Sequence, residues 1–472
     1  MAKKNKSKEL IKNTAIISFG KMCTQLVSFL LMPFYTAILT TQEYGVVDLV
    51  VTYGQLLLPV FTLQMEQSLF RFLLDVRDSD EKKHDIISDI MSITLLMSVV
   101  LSGVFVVISF FINTGYNYLL LANLWATLIV TMLLQISRGF GINKVYAFGS
   151  FISAAGQVTL NIVFILWLRM GATGMIAAMI ISQLIAAVFV AKSIHLGKYL
   201  SFRAVKWSSI KEYVGYSAPL VPNAISWWIL NASDRTIILR FLGVGFNGIY
   251  SAANKFSGIY TTLFNIFNLS WTESVALYLK DKGASEEYTD MQNKVIGLCI
   301  TTANGIIYVM PFAFSILVNQ KFHDSFYQIP LLVMGAFFSS MVGLISAYYV
   351  AVKNTATIAR TTVFGAICNI ALNLAMITKI GLYAASISTV LAYLILFIVR
   401  TIDVKRKFNI KLNKKLFLSG VVMMGIGYST YFIDKLVVYI IAFVLYAIYA
   451  FVVNKRLIVK TVGMIKRKSL SK

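Results

Sequence analysis

Charged side chains interrupt several long apolar stretches of this sequence. Within them lie Lys21, Asp234, Arg235 and Lys255, and Asp48 and Glu66 lie nearer to the ends of such stretches. A charge at the centre of a membrane-spanning helix costs about 2.5–3.5 kcal/mol on insertion scales. Four such charges approach about 10 kcal/mol, which is comparable with the whole stability of a typical protein. If these stretches cross a membrane, the charged groups must face water or one another.

Asp234 and Arg235 are neighbours in the sequence, with Trp227-Trp228 before them and Thr236-Ile-Ile-Leu after them. Consecutive residues on a helix point about 100° apart, so the two cannot form a good mutual ion pair. Each therefore needs a partner from elsewhere in the chain, or a wet cavity. The apolar residues that follow predict that the helix continues through the pair. The alternative is a helix that ends there and leaves both charges in solvent.

Lys21 and Lys255 each lie about two turns from the nearest predicted helix end. Lys255 follows Ala252-Ala-Asn254, and small and polar neighbours of this kind are suited to a cavity wall. A lysine can also extend its long side chain to the membrane surface, so this alternative stays open for either residue.

The composition requires a lipid environment. Of the 472 residues, 58% are hydrophobic and only 13% are charged, against about one quarter in soluble globular proteins. A spanning helix needs roughly 20 apolar residues. The sequence predicts an all-α integral membrane protein with about 14 transmembrane helices, at residues 13–35, 45–65, 86–110, 117–137, 146–168, 173–191, 213–240, 247–271, 294–318, 327–350, 360–378, 381–399, 416–433 and 436–453.

The net charge of +23 indicates orientation. Most of the 43 basic residues fall in the termini and in every second loop, including the cluster Arg400, Lys405, Arg406 and Lys407. Cytoplasmic loops of membrane proteins collect Lys and Arg, so both termini are expected in the cytoplasm. The expected partners of this charge are anionic membrane lipids, and nucleic acid is not expected.

Two parts of the chain resemble each other. Leu160-Asn161 and Gly171, followed by small residues, recur as Leu372-Asn373 and Gly381. Six predicted spans separate the copies, which indicates parallel repeats. We expect two six-helix lobes related by a pseudo-twofold axis, plus two C-terminal helices. The predicted divisions are a basic tail (1–12), an N-lobe (13–211), a C-lobe (212–402) and the last two helices with a basic tail (403–472).

When the two similar parts of the chain are compared, the apolar residues recur but the cations within the predicted spans do not. This favours a cavity whose cations serve an anionic group, most simply a phosphate. No set of residues indicates catalysis or a metal site, and Gly243-Val-Gly-Phe-Asn-Gly248 lies between two spans, where a nucleotide site is not expected. Catalytic residues, metals and cofactors are therefore not expected.

Eight short segments, taken in order, carry a family resemblance: Phe29 to Tyr35, Glu43-Tyr-Gly45, Ser68-Leu-Phe-Arg71-Phe72, Pro219-Leu-Val-Pro222, Trp228 to Asn231, Ser233-Asp-Arg235, Phe241-Leu-Gly243 and Gly248 to Lys255. They resemble the bacterial polysaccharide-export flippases, which move O-antigen, capsule or exopolysaccharide repeat units. That family belongs to the multidrug/oligosaccharidyl-lipid/polysaccharide exporter superfamily.

The resemblance implies a flippase, not an enzyme, that moves undecaprenyl-pyrophosphate-linked oligosaccharides from the inner to the outer leaflet by alternating access. It implies that the protein lies in the bacterial cytoplasmic (inner) membrane. It also implies that polysaccharide polymerase and assembly proteins are partners. Three groups of site residues follow from it. Pyrophosphate contacts are expected at Lys21, Arg235 and Lys255. Sugar or polyprenyl contacts are expected at Trp227, Trp228, Asn231 and Asn254. Gating or ion-coupling roles are expected for Asp48, Glu66, Asp234 and Arg71.

Two alternatives stay open. A drug/cation antiporter of the same superfamily should have a mainly acidic pocket. A membrane glycosyltransferase or polysaccharide polymerase should display a sizeable outer loop, whereas the predicted outer loops are short and nearly uncharged.

Overall fold

A computed structural model describes residues 29–111, 115–201, 207–278, 285–352, 354–408 and 412–470. Every regular element in these ranges is helical, which confirms the all-α prediction. The α-helices are α1 (Met32–Ile38), α2 (Thr41–Thr62), α3 (Met65–Asp75), α4 (Asp80–Phe111), α5 (Asn117–Gly139), α6 (Asn143–Asn161), α7 (Gly171–Ser193), α8 (Trp207–Ser217), α9 (Leu220–Phe241), α10 (Val244–Tyr278), α11 (Ser285–Leu317), α12 (Ser325–Ala351), α13 (Thr355–Ile380), α14 (Tyr383–Phe408), α15 (Lys414–Thr430) and α16 (Leu436–Leu470).

Ten helices within the described ranges are long and apolar enough to cross a membrane, so the protein is a multi-pass membrane protein. Apolar side chains of α4 and α16 face outward, for example Phe111 (85% exposed) and Val452 (66%). Such exposure is stable only against lipid. Of the other predicted spans, α9 and α10 are long enough, with 22 and 35 residues, but are less apolar than these ten helices. Helix α15 has only 17 residues, and 13–35 lies mostly outside the described residues.

The predicted single span at 213–240 is wrong in one respect, because the chain forms two helices there. Helix α8 ends at Ser217 and α9 begins at Leu220. Pro219 lies in the break. Proline has no N–H for the helical ladder, and its ring disfavours helical geometry at the preceding residue. Helix α9 then runs without interruption to Phe241, which confirms that the helix continues through Asp234 and Arg235.

The chain forms two compact units. Unit 1 contains residues 38–236 of the described chain, and unit 2 contains residues 29–37 and 237–472. In unit 1 the core is formed by α3, α4, α5 and α7, with fully buried Leu69, Ile87, Met132 and Val190. In unit 2, α12 packs against α10 and α14. Of the residues in its most apolar segment, 72% are buried, so α12 is the central helix of that unit.

The repeat expected from the sequence has a counterpart inside each unit. In unit 1, α6 packs against α7, and Gly171 opens α7 with φ +56°. In unit 2, α13 packs against α14, and Gly381 joins them with φ +57°. The asparagines of the two copies, Asn161 and Asn373, are 1% and 0% exposed. Glycine adopts this left-handed conformation without the steric cost that a side chain adds, which explains its presence at both turns.

Glu43, one of the residues in the family-like segments, has a structural role. Thr40 and Glu43 form a capping box at the start of α2: Glu43 N–H donates to Thr40 Oγ1 (3.1 Å), and Thr40 N–H donates to Glu43 Oε2 (2.8 Å). Both bonds satisfy N–H groups that a helix start leaves unpaired. The other carboxylate oxygen, Oε1, occupies the space that a side chain at Gly171 would need. Glu43 thus fixes both the start of α2 and the identity of residue 171.

Candidate functional site

A cavity of about 380 Å³ lies within unit 1, between α2 and α9. Its lining combines charged, amide and aromatic side chains: Asp48, Val51, Thr52, Gln55, Ala224, Trp227, Trp228, Asn231, Ala232 and Arg235. Five of the residues predicted for the site are therefore brought together: Asp48, Trp227, Trp228, Asn231 and Arg235.

The ion pair at this cavity joins residues that are far apart in the sequence. Arg235 Nε donates to Asp48 Oδ2 at 2.8 Å, and their side chains are 11% and 15% exposed. Arg235 Nη1 also donates to the backbone oxygen of Asn231, one turn earlier, at 3.3 Å. Arg235 thus has a carboxylate partner from another helix, as the adjacent position of Asp234 in the sequence required. A charge-assisted hydrogen bond of this kind is stronger than a neutral one.

Aromatic residues hold α2 and α9 together beside the ion pair. Trp228 Nε1 donates to the backbone oxygen of Thr52 at 2.8 Å, and the Trp228 ring lies 6.3 Å from that of Tyr53. The Tyr53 hydroxyl lies 3.2 Å from Thr236 Oγ1. Trp228 therefore packs α9 against α2. Trp227, in contrast, is 50% exposed. Of the two tryptophans, Trp227 has the larger surface available for an apolar or sugar ligand.

Asn231 and Asp234 have different surroundings on α9. Asn231 lines the cavity and is exposed, with Nδ2 donating to the backbone oxygen of Trp227 at 2.8 Å. Asp234 is 3% exposed and is not among the residues that line the cavity. Asp48 is therefore the carboxylate that a ligand in this cavity would meet.

Lys255 and Asn254 belong to unit 2, on α10. Both are half-buried, next to the fully buried Ala252 and Ala253. Asn254 Oδ1 accepts a hydrogen bond from Ser257 Oγ at 2.6 Å. Lys21, the other predicted intramembrane lysine, lies outside the described residues.

Glu66 and Arg71 lie on α3, the short helix that follows the span Thr41–Thr62. Glu66 is 5% exposed, burial raises the pKa of its carboxyl, and within the described chain no hydrogen-bond partner is found for Oε2. Arg71 pairs with Asp75 at 2.7 Å on the helix surface, where both side chains are about half exposed or more. Burial of this kind favours the protonated form of the Glu66 carboxyl. Exposed ion pairs such as Arg71–Asp75 contribute little energy.

Arg400 is a buried cation that the sequence interpretation missed, because it was grouped with the surface cluster Lys405 to Lys407. It is 2% exposed and lies on α14. Its guanidinium donates to four neutral acceptors on α12 and α13: Ser346 Oγ (2.5 Å), Ile358 O (3.0 Å), Thr361 Oγ1 (2.9 Å) and Thr362 Oγ1 (2.8 Å). The signal was present in the sequence, since Arg400 directly follows Phe397-Ile-Val, one turn before the charged cluster.

The chain shares its helical fold with solved membrane transporters. The structure of "Lipid II flippase MurJ, inward closed conformation" is similar with a TM-score of 0.67 and 16% identity, covering 95% of this chain and all of that one. An inward-facing multidrug resistance transporter of the MATE family, from the MOP superfamily, is similar with a TM-score of 0.64 and 14% identity, covering 82% of this chain and 94% of that one. At these identities the likeness shows the fold.

The family is shown by the sequence match. The family described as "Polysaccharide biosynthesis protein" matches residues 10–271, more than half of the chain. The chain belongs to this family, which confirms the family resemblance of the segments between Phe29 and Lys255. No protein of curated function matches the sequence significantly.

Proposed function

We propose that this protein is a flippase that moves undecaprenyl-pyrophosphate-linked oligosaccharide repeat units from the inner to the outer leaflet, for capsule, O-antigen or exopolysaccharide assembly. The proposal rests on the position of Arg235, which lies at the wall of a polar cavity and pairs with Asp48. The chain belongs to the polysaccharide biosynthesis family. Arginine binds phosphate through two parallel hydrogen bonds, which suits a pyrophosphate group. The protein carries its substrate and does not transform it.

Asp48 controls the access of the substrate to Arg235. Without substrate, the carboxylate neutralises Arg235 and stabilises the closed α2–α9 contact. The pyrophosphate replaces Asp48 on the guanidinium, and the displaced carboxylate loosens α2 from α9. Because the exchange substitutes one anion for another, Arg235 is never left buried without a counter-charge, which would be costly.

The other predicted residues complete the path. Lys21 and Lys255 contribute further positive charge to the pyrophosphate, and Trp227, Trp228, Asn231 and Asn254 contact sugar or polyprenyl groups. Asp234 and the buried Glu66 couple transport to an ion gradient, and Arg71 belongs to the gate. The protein acts in the bacterial cytoplasmic membrane with both termini in the cytoplasm, among anionic lipids, and a polysaccharide polymerase receives its product.

The test is flipping of lipid-linked repeat units by the purified protein in liposomes, together with their accumulation in a deletion strain. Arg235→Gln should lower the flipping rate strongly. Arg240→Gln is the matched control, because Arg240 lies on the same helix and is exposed. Lys255→Ala should abolish export while the protein still inserts. Full activity of Arg235→Gln, or equal loss in the control, would refute the assignment of Arg235.

A drug/cation antiporter is the second candidate, because Asp48 and the half-exposed Trp227 lie at the same cavity and could receive an aromatic cation. Sensitivity of a deletion strain to cationic dyes, with normal levels of lipid-linked repeat units, would favour it. A glycosyltransferase or polymerase would instead transfer sugar when the purified protein is given lipid-linked substrate.

A further inference from the structure

A second cavity, of about 340 Å³, lies within unit 2 where α11 and α15 begin and where the apolar part of α16 ends. Its polar lining consists of Asp290, Asn293, Lys294, Asn413 and Asn454. Gly297, Leu416, Val452 and Val453 form the apolar part of its wall. Two of these helices, α11 and α16, are long and apolar enough to cross a membrane. A cavity at their ends lies at the boundary between lipid and water, and its two kinds of wall match these two environments.

The charged groups of this cavity can accept a ligand. Lys294 Nζ pairs with Asp290 Oδ2, one helical turn away, and the two side chains are 43% and 55% exposed. An exposed ion pair of this kind contributes little stability and opens readily. Asn413 Oδ1 accepts the hydrogen bond of Leu416 N–H (3.1 Å). What Asn413 offers to a ligand is therefore its –NH2 group, which is a hydrogen-bond donor.

Positive charge surrounds the cavity. Lys414 and Lys415 directly follow Asn413, Lys455 directly follows Asn454, and all three lysines are exposed. With Lys294 they outnumber the single lining carboxylate, Asp290. The local field therefore attracts an anion.

Apolar surface continues from the cavity into the membrane region. Val452, in the wall itself, is 66% exposed, and Leu298 and Leu418, close in sequence to the wall residues Gly297 and Leu416, are 47% and 65% exposed. Such side chains can pack against acyl chains. A free phosphate ion would use none of this surface.

We propose that this cavity binds the headgroup of an anionic, hydroxyl-bearing phospholipid, with phosphatidylglycerol as the chemical type. Lys294 and the Asn413 amide contact the phosphate, Asp290 accepts hydrogen bonds from headgroup hydroxyls, and the acyl chains lie along α15 and α16. The lipid thereby joins α11, α15 and α16 at one membrane surface. This site is independent of the cavity between α2 and α9.

The test is titration of the full-length protein in detergent with phosphatidylglycerol, with binding followed by native mass spectrometry. Lys294→Gln and Asp290→Asn remove the same ion pair, so a purely structural pair predicts the same effect for both. The proposed site predicts opposite effects. Lys294→Gln weakens binding about fivefold, from the loss of one lysine at the membrane surface. Asp290→Asn strengthens binding, because asparagine keeps an acceptor oxygen for the headgroup hydroxyls while it releases Lys294. Lys192→Gln, at an exposed lysine in the last turn of α7, should bind as the wild type does.

Three results would overturn the proposal. Changes of the same sign in the two variants, or no change in either, would make the ion pair structural. Equal binding of phosphatidylcholine would indicate annular lipid only. Equal competition by glycerol 3-phosphate, which has no acyl chains, would indicate a free phosphate site. If Lys294→Gln fails to fold, the tighter binding expected of Asp290→Asn still decides.

Discussion

Replacing Asp48 by asparagine removes the carboxylate that holds Arg235 at the wall of the first cavity. The hydrogen bond from Arg235 Nε to Asp48 Oδ2 is 2.8 Å long, and it joins α2 to α9 across 187 positions of sequence. Asparagine keeps the size and an acceptor oxygen but removes the negative charge. We expect the free energy of unfolding to fall, because a mostly buried guanidinium loses the carboxylate to which it donates a hydrogen bond.

The magnitude lies between two limits. Breaking a fully buried ion pair costs about 3–5 kcal/mol, whereas exposed pairs are worth about 0–1 kcal/mol. Here the side chains are 11% and 15% exposed, and both line a cavity that admits water. We therefore expect a loss of about 2 kcal/mol for Asp48→Asn. The double variant Asp48→Asn/Arg235→Gln should recover about 1 kcal/mol of the summed losses, since the two changes remove both members of the same ion pair.

The assay is equilibrium unfolding of the purified protein in detergent, analysed as a double-mutant cycle. The control cycle uses Arg71 and Asp75, whose pair has a similar N–O distance, 2.7 Å, but is 48% and 62% exposed. Its coupling should be much smaller. Additive losses in the Asp48/Arg235 cycle, or equal coupling in the two cycles, would refute the argument that burial makes this pair strong.

The exchange of Asp48 for phosphate has its own readout in ligand binding. Asp48→Asn should raise the affinity of the protein for inorganic pyrophosphate, and Arg235→Gln should lower it, measured by isothermal titration calorimetry. A lower affinity in both variants would make Asp48 and Arg235 joint ligands and would end the gate mechanism.

Three further predictions concern stability. Arg400→Lys should lower the free energy of unfolding by about 2–3 kcal/mol, because lysine keeps the charge but cannot reach four acceptors. The measurement is a denaturant titration, in which the control Arg406→Met, on the exposed end of the same helix, should change little. Gly171→Ala should lower the free energy of unfolding by about 1–2 kcal/mol more than Gly381→Ala. Both glycines have positive φ, but only a side chain at residue 171 would displace Glu43, which caps α2. Equal losses would mean that Glu43 simply moves aside. Burial raises the Glu66 pKa above its ordinary 4.5, so the protonated acid is favoured in the folded state and its contribution is lost as pH rises through the raised pKa. Unfolding temperatures of wild type and Glu66→Gln should then agree below about pH 4 and diverge in favour of the variant at higher pH, and parallel curves would contradict this.

Much of the architecture could be predicted because membrane helices are recognised from local composition. An apolar stretch of about 20 residues predicts a span wherever it occurs. The ends were harder to predict. The break at Pro219 was missed because Gly215 to Pro222 is apolar enough to be read as one span, although the proline itself was visible in the sequence. Charge was informative in a similar way: the neighbouring Asp234 and Arg235 indicated that partners had to exist.

The identity of those partners depended on packing. Nothing in the sequence near Arg235 indicated Asp48, because residues on α2 and α9 meet only after the intervening helices have packed. The same holds for Arg400, which has the composition of a surface cluster but is buried by α12 and α13. The sequence by itself determined the class, the helical content and the turn glycines, since these follow from hydropathy and backbone freedom at each position. Tertiary structure alone decided which charges are neutralised and where the cavities lie, because burial is a property of the assembled helices and not of any single segment.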